Sequence, residues 1–201
     1  MALLFAKNNS LSAVTALPAS VSGGGLNLIS TQTASSSATI DFTSGIDSTY
    51  KSYIFKFYDI HPATNNQEFT FQGSTDSGSS YGVTMTSTFY QAYHAENGSA
   101  TSLAYNTLKD LAQSTSFQAI ADTTGNGNDE TASGFLQLFD PSSSVFVKHF
   151  ISVDNHYYNG TYSINDYASG YFNTQSPIDA IQFKMASGSI ESGVIKMYGV
   201  T

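Results

Sequence analysis

Apolar and polar residues alternate along short stretches of this chain, as in Thr39-Ile40-Asp41-Phe42-Thr43 and Glu68-Phe69-Thr70-Phe71-Gln72. A period of two places apolar side chains on one face of a strand and hydroxyls or amides on the other. Such stretches recur at 26–32, 38–44, 50–60, 66–73, 83–94, 116–121, 132–140, 145–153, 161–173, 178–185 and 192–200. Turn signals separate them: Ser44-Gly45, Asn65-Asn66, Asp76-Ser77-Gly78, Asp140-Pro141 and Ser187-Gly188. Many short strands punctuated in this way predict an all-β fold, an antiparallel β-sandwich over residues 25–201. The stretch 50–60 is the clearest strand, with Tyr53, Phe55 and Phe57 on one face and Ile54, Tyr58 and Ile60 on the other. Val194, Ile195, Met197 and Tyr198 are expected to pair with an inner strand and close the sandwich. Only 104–113 has helical spacing, through Leu103, Leu108 and Leu111, which predicts a helical turn or two in a connection.

Residues 1–24 follow neither period. Leu3, Leu4, Phe5, Leu11, Val14 and Leu17 lie ahead of Pro18 and the glycines at 23–25. A solvated tail does not usually place Leu-Leu-Phe in water, so the segment is read as an extended N-terminal arm that docks on another protein.

Composition narrows the class. Charged residues make up 11% of the chain against 40% hydrophobic and 13% aromatic. Seven lysines stand against fifteen acidic residues, giving a net charge of −8. The lysines are scattered singly, so the basic stripe of a nucleic-acid reader is missing. The acidic balance also argues against anionic membranes. No stretch approaches the roughly 20 apolar residues of a membrane helix, and Met1–Lys7 is too short for a signal-peptide core. There is no cysteine, which fits a reducing compartment and rules out a disulfide framework.

Candidate chemistry is sparse. Gly78-Ser79-Ser80-Tyr81-Gly82 matches the G-x-S-x-G elbow, yet it lies between strand-like segments instead of a strand and a helix, so no hydrolase is read from it. Asp122 to Glu130 has the look of a calcium loop, but Thr124 and Ser133 occupy positions where an EF-hand needs acidic or amide ligands. A looser cation site there stays open beside a solvated hairpin tip. His61, His94, His149 and His156 show no metal-ligand spacing, and no metal or cofactor is expected from them. Asp41, Asp59, Glu68, Asp140, Asp154 and Glu191 stand as isolated carboxylates. Tyr157, Tyr158, Tyr162 and Tyr167, with nearby Asn155, Asn159 and Asn165, are the candidate glycan or subunit face, with core packing as the other reading.

Three stretches carry a resemblance: Leu28 to Ile46 running on through Tyr53-Ile-Phe-Lys-Phe57, Phe69 to Gly78, and Ile181-Gln-Phe183 with Ser187 to Gly199. Together they resemble virion structural proteins of marine tailed bacteriophages, in which a jelly-roll-like sandwich ends in an I-x-S-G-x-I-K-x-Y-G strand. Here that strand is Ile190 to Gly199. The resemblance implies a non-enzymatic particle component, a capsid decoration (cement) protein or a tail or fibre part, assembled in the bacterial host cytoplasm. Its expected partners are other virion proteins, major capsid or tail, and further copies of itself, a trimer being favoured. The alternative is a lectin-like, carbohydrate-binding receptor module of a tail fibre.

Overall fold

A computed structural model describes residues 25–158 and 161–201. The arm residues Leu3, Leu4, Phe5, Leu11, Val14 and Leu17 lie outside them. The described chain is all-β, with two antiparallel sheets and twelve strands among the described residues. The strands are β1 (Leu26–Ser37), β2 (Ile40–Phe42), β3 (Ser52–Pro62), β4 (Gln67–Ser74), β5 (Met85–Ala95) and β6 (Thr101–Tyr105). They continue with β7 (Gln118–Thr124), β8 (Ala132–Phe139), β9 (Lys148–Tyr158), β10 (Tyr162–Phe172), β11 (Ala180–Met185) and β12 (Ile190–Val200).

The large sheet runs β1-β12-β3-β8-β9-β10-β5-β6 and the small one β2-β11-β4-β7. With the hairpins β5–β6 and β9–β10 set aside, successive strands alternate between the two sheets except at β4 and β7, which are neighbours in the small one. The first strand then pairs with the last and the second with the eleventh. The third pairs with the eighth and the fourth with the seventh. The two hairpins sit side by side and extend the large sheet beyond the small one.

The core lies between the sheets because alternation delivers one apolar face from each. Phe55 and Phe57 of β3 meet Phe69 and Phe71 of β4 and Phe183 of β11, all fully buried. Phe183 stacks on Phe69 at 5.7 Å between ring centres, and Phe71 meets Phe150 edge-on at 5.0 Å. From β12, Ile190, Ile195 and Met197 enter this core. Val194 and Tyr198 take the opposite face, where Lys196 lies over the Tyr58 ring and Lys56 over Tyr198.

Two expectations are corrected. Ile60 does not share a face with Ile54 and Tyr58: it is fully buried. Asp59 takes a left-handed backbone (φ 51°) and the β3–β8 register slips between Phe57 and Ile60. This bulge turns the strand by one position, so Ile60 rejoins the core side. The 104–113 segment is not helical. Thr101–Tyr105 pairs with the open edge of β5 instead. Asn106 then starts a turn, its side-chain oxygen accepting from the Leu108 N–H. Leu103 and Leu108 face solvent, and of the three leucines only Leu111 reaches the core.

Candidate functional site

The hairpin β9–β10 pairs residue 162 with 158 and continues in register to 172 with 148. Alternation therefore separates the candidate tyrosines. Tyr157 and Tyr167 face outward with Asn155 and Asn165. Tyr158 and Tyr162 face the small sheet. The four do not make one binding face, which corrects the sequence reading.

Among the described residues no element covers the outward face of the large sheet. One ladder row crosses it through directly paired residues: Lys196, Lys56, Phe135, Val153, Tyr167, Tyr90 and Tyr105. Tyr90 and Tyr167 stack at 4.8 Å with ring planes 6° apart. On one side the next row carries Tyr198, Ile54, Gln137, Ile151, Ser169 and Thr88; on the other, Asn155, Asn165, Ala92 and Leu103. These rows contain no carboxylate, although the chain as a whole is acidic. Leu103 is 73% and Tyr105 51% exposed.

On the inner side, Tyr93, Tyr158, Tyr162 and Ile164 with Gln91 and Thr123 line a cleft of about 270 Å³. It opens where the large sheet outruns β7. Tyr93 meets Tyr162 edge-on at 5.6 Å, and Tyr158 lies 5.9 Å from Tyr162.

Beneath that cleft the seam between β7 and the β9–β10 hairpin holds a buried polar cluster. Asp154 of β9 and Asp166 of β10 oppose each other directly in the ladder. Asp154, His156 and Asp166 are all buried. His156 Nδ1 lies 2.9 Å from Asp154 Oδ2 and 3.8 Å from Asp166 Oδ2. Asp166 Oδ1 accepts from Gln91 Nε2 at 2.9 Å, and Oδ2 accepts from the Asp122 N–H at 2.7 Å. Asp154 Oδ1 and His156 Nε2 have no hydrogen-bond partner. Nearby, Lys109 bridges Glu68 and Asp122, its Nζ 3.1 Å from Asp122 Oδ1.

Burial dominates the electrostatics here. It holds the Asp154 carboxyl well above the usual carboxylate range. It also pushes Asp166 up to about 7, with the charge of Asp154 adding to the effect. The same burial pulls His156 down, against the nearby aspartates that favour its charged form. Two carboxylates facing each other in a dry seam do not both ionise without a compensating charge.

The other sequence candidates are dispersed. Ser80 of the G-x-S-x-G match donates to Asp76 Oδ2 at 2.5 Å inside a turn. Residues 122–130 are not a single loop: Asp122 belongs to β7 and is buried. Glu130 turns back onto the Gly127 N–H. His61 faces the Glu130 carbonyl and His149 lies beside the Tyr171 ring, and neither joins the cluster around His156. Asp154, read as isolated, has a carboxylate directly opposite and an imidazole two residues on. The opposition follows from the observed β9–β10 register, which pairs 158 with 162; a two-residue turn at 159–160 would have set 154 against 165 instead. Comparison with protein-family models, curated proteins and solved structures finds no match.

Proposed function

We propose that this chain is a non-enzymatic structural component of a bacteriophage particle, sited on its surface as a capsid decoration protein or in the tail or fibre. The observation that carries the reading is the uncovered ladder of Phe135, Val153, Tyr167, Tyr90 and Tyr105. A face rich in tyrosine, whose ladder rows carry no charge but Lys56 and Lys196, offers large contact area at low entropic cost. Its partner in this reading is another copy of the chain, packed in a closed ring with a trimer favoured. The nested strand pairing supports a jelly roll into which two hairpins have been inserted, enlarging that face. The resemblance of residues 28–46, 69–78 and 187–199 to virion proteins of marine tailed phages points to the particle. Quantitative mass spectrometry of purified particles tests the proposal. Hundreds of copies place the chain on the capsid and about a dozen in the tail; its absence from particles contradicts the proposal.

A lectin-like receptor-binding role is the second reading. The cleft of Tyr93, Tyr158 and Tyr162 beside the Gln91 amide favours it, because sugars stack on aromatic rings and bond to amides. Glycan-array binding that Tyr162→Ala abolishes would select this reading.

A further inference from the structure

The buried row across β9 and β10 poses a physical problem. Asp154 and Asp166 are direct cross-strand partners, and like charges in that relation destabilise a sheet even at its surface. Here both lie in the interior. The nearest lysine does not solve it, because Lys109 is already held between Glu68 and Asp122. A shared proton or a bound cation would relieve the repulsion, and Asp154 Oδ1 is enclosed without a partner.

We propose that Asp154, His156 and Asp166 bind one divalent transition-metal ion, of which Zn²⁺ is the best match, as a clamp joining β9 to β10 beneath β7. One donor atom from each residue falls within 4.8 Å of the others. The separations of 2.9 and 3.8 Å from His156 Nδ1 to the two carboxylate oxygens bracket the ligand-to-ligand distance of a tetrahedral zinc site. That distance is about 3.3–3.6 Å for bonds of about 2.0–2.2 Å. The donor set of one imidazole and two carboxylates suits Zn²⁺. Ca²⁺ requires six to eight oxygen ligands, more than this seam supplies.

The surroundings fit as well. Metal-bound carboxylates and imidazoles are normally held in place by outer hydrogen bonds. Asp166 has two, from Gln91 and the Asp122 N–H. Gln91 also lines the tyrosine cleft, so one side chain separates Asp166 from that cleft. The proposed site leaves its fourth position to a water.

The test uses the full chain stripped with EDTA and titrated with Zn²⁺ alone. The proposal expects one ion per chain by elemental analysis and a melting temperature that climbs steadily with the logarithm of free Zn²⁺. The double variant Asp154→Asn/Asp166→Asn removes the opposed charges. It should melt no lower than the stripped wild type and should not respond to Zn²⁺. A wild-type melting temperature that stays flat across the titration overturns the proposal. So does a double variant that responds as the wild type does, since the ion would then sit elsewhere. Should the variant not fold, Co²⁺ added to the stripped wild type gives the deciding signal. The visible absorption of four-coordinate cobalt is expected, and its absence overturns the site.

Discussion

Phe183 lies within ring contact of Phe42, Phe55, Phe69 and Phe71, so one side chain ties β11 to strands of both sheets. Truncating it leaves a cavity whose walls are rings that cannot collapse inward. Phe183→Ala should therefore cost about 3–5 kcal/mol, measured by urea denaturation at constant slope. A different residue contributes to the acid limb of the stability curve. Asp76 is held down to about 2 by hydrogen bonds from Ser74 and Ser80 and from the Ser80 N–H. A carboxylate depressed on folding stabilises the fold above its ordinary range, and that contribution disappears as pH falls from about 4 towards 2. Asp76→Asn should lower the melting temperature at pH 7 and flatten its fall over that acid window. Most inward residues were legible one by one, because alternation assigns a face wherever the strand is regular. Asp154 was not recognised, because its significance is relational. Its face follows from its own strand, but the opposed Asp166 depends on the register of the β9–β10 hairpin and the covering β7 on pairing across the fold.

At the scale of elements, β12 shows why a terminal strand is indispensable here. It lies between β1 and β3 and contributes Ile195 and Met197 to the core. Ending the chain at Ser192 would remove both and open the facing edges of β1 and β3. Each buried side chain of this kind is worth about 1.5–3 kcal/mol, against a whole-domain stability of roughly 5–15 kcal/mol. The truncated chain should show no cooperative melting transition by circular dichroism. The limits of sequence reading at this scale have specific causes. The slip at Asp59 needs a left-handed residue that is not a glycine, which alternation cannot signal. The strand β6 is exposed and carries Leu103 towards solvent. Its helix-like leucine spacing gave way to the backbone demand of the open β5 edge. The arm at 1–24 is an expectation drawn from its apolar residues alone.

At the scale of the molecule, the hairpins β5–β6 and β9–β10 double the large sheet from four strands to eight while the small sheet stays at four. One consequence is the seam where β7 meets the overhang, with its opposed aspartates. The other is the broad outer face with its tyrosine ladder. The sandwich class was legible because turn clusters and alternation survive any order of strands. The overhang was not, because strand order is set by long-range pairing. The account stands on that outer face being an assembly surface, and the mass of the full chain in solution tests it most directly. Light scattering across a concentration series should rise from the 21.5 kDa of one chain to a plateau at three times that value. A mass that stays at 21.5 kDa up to the highest soluble concentration would contradict the account.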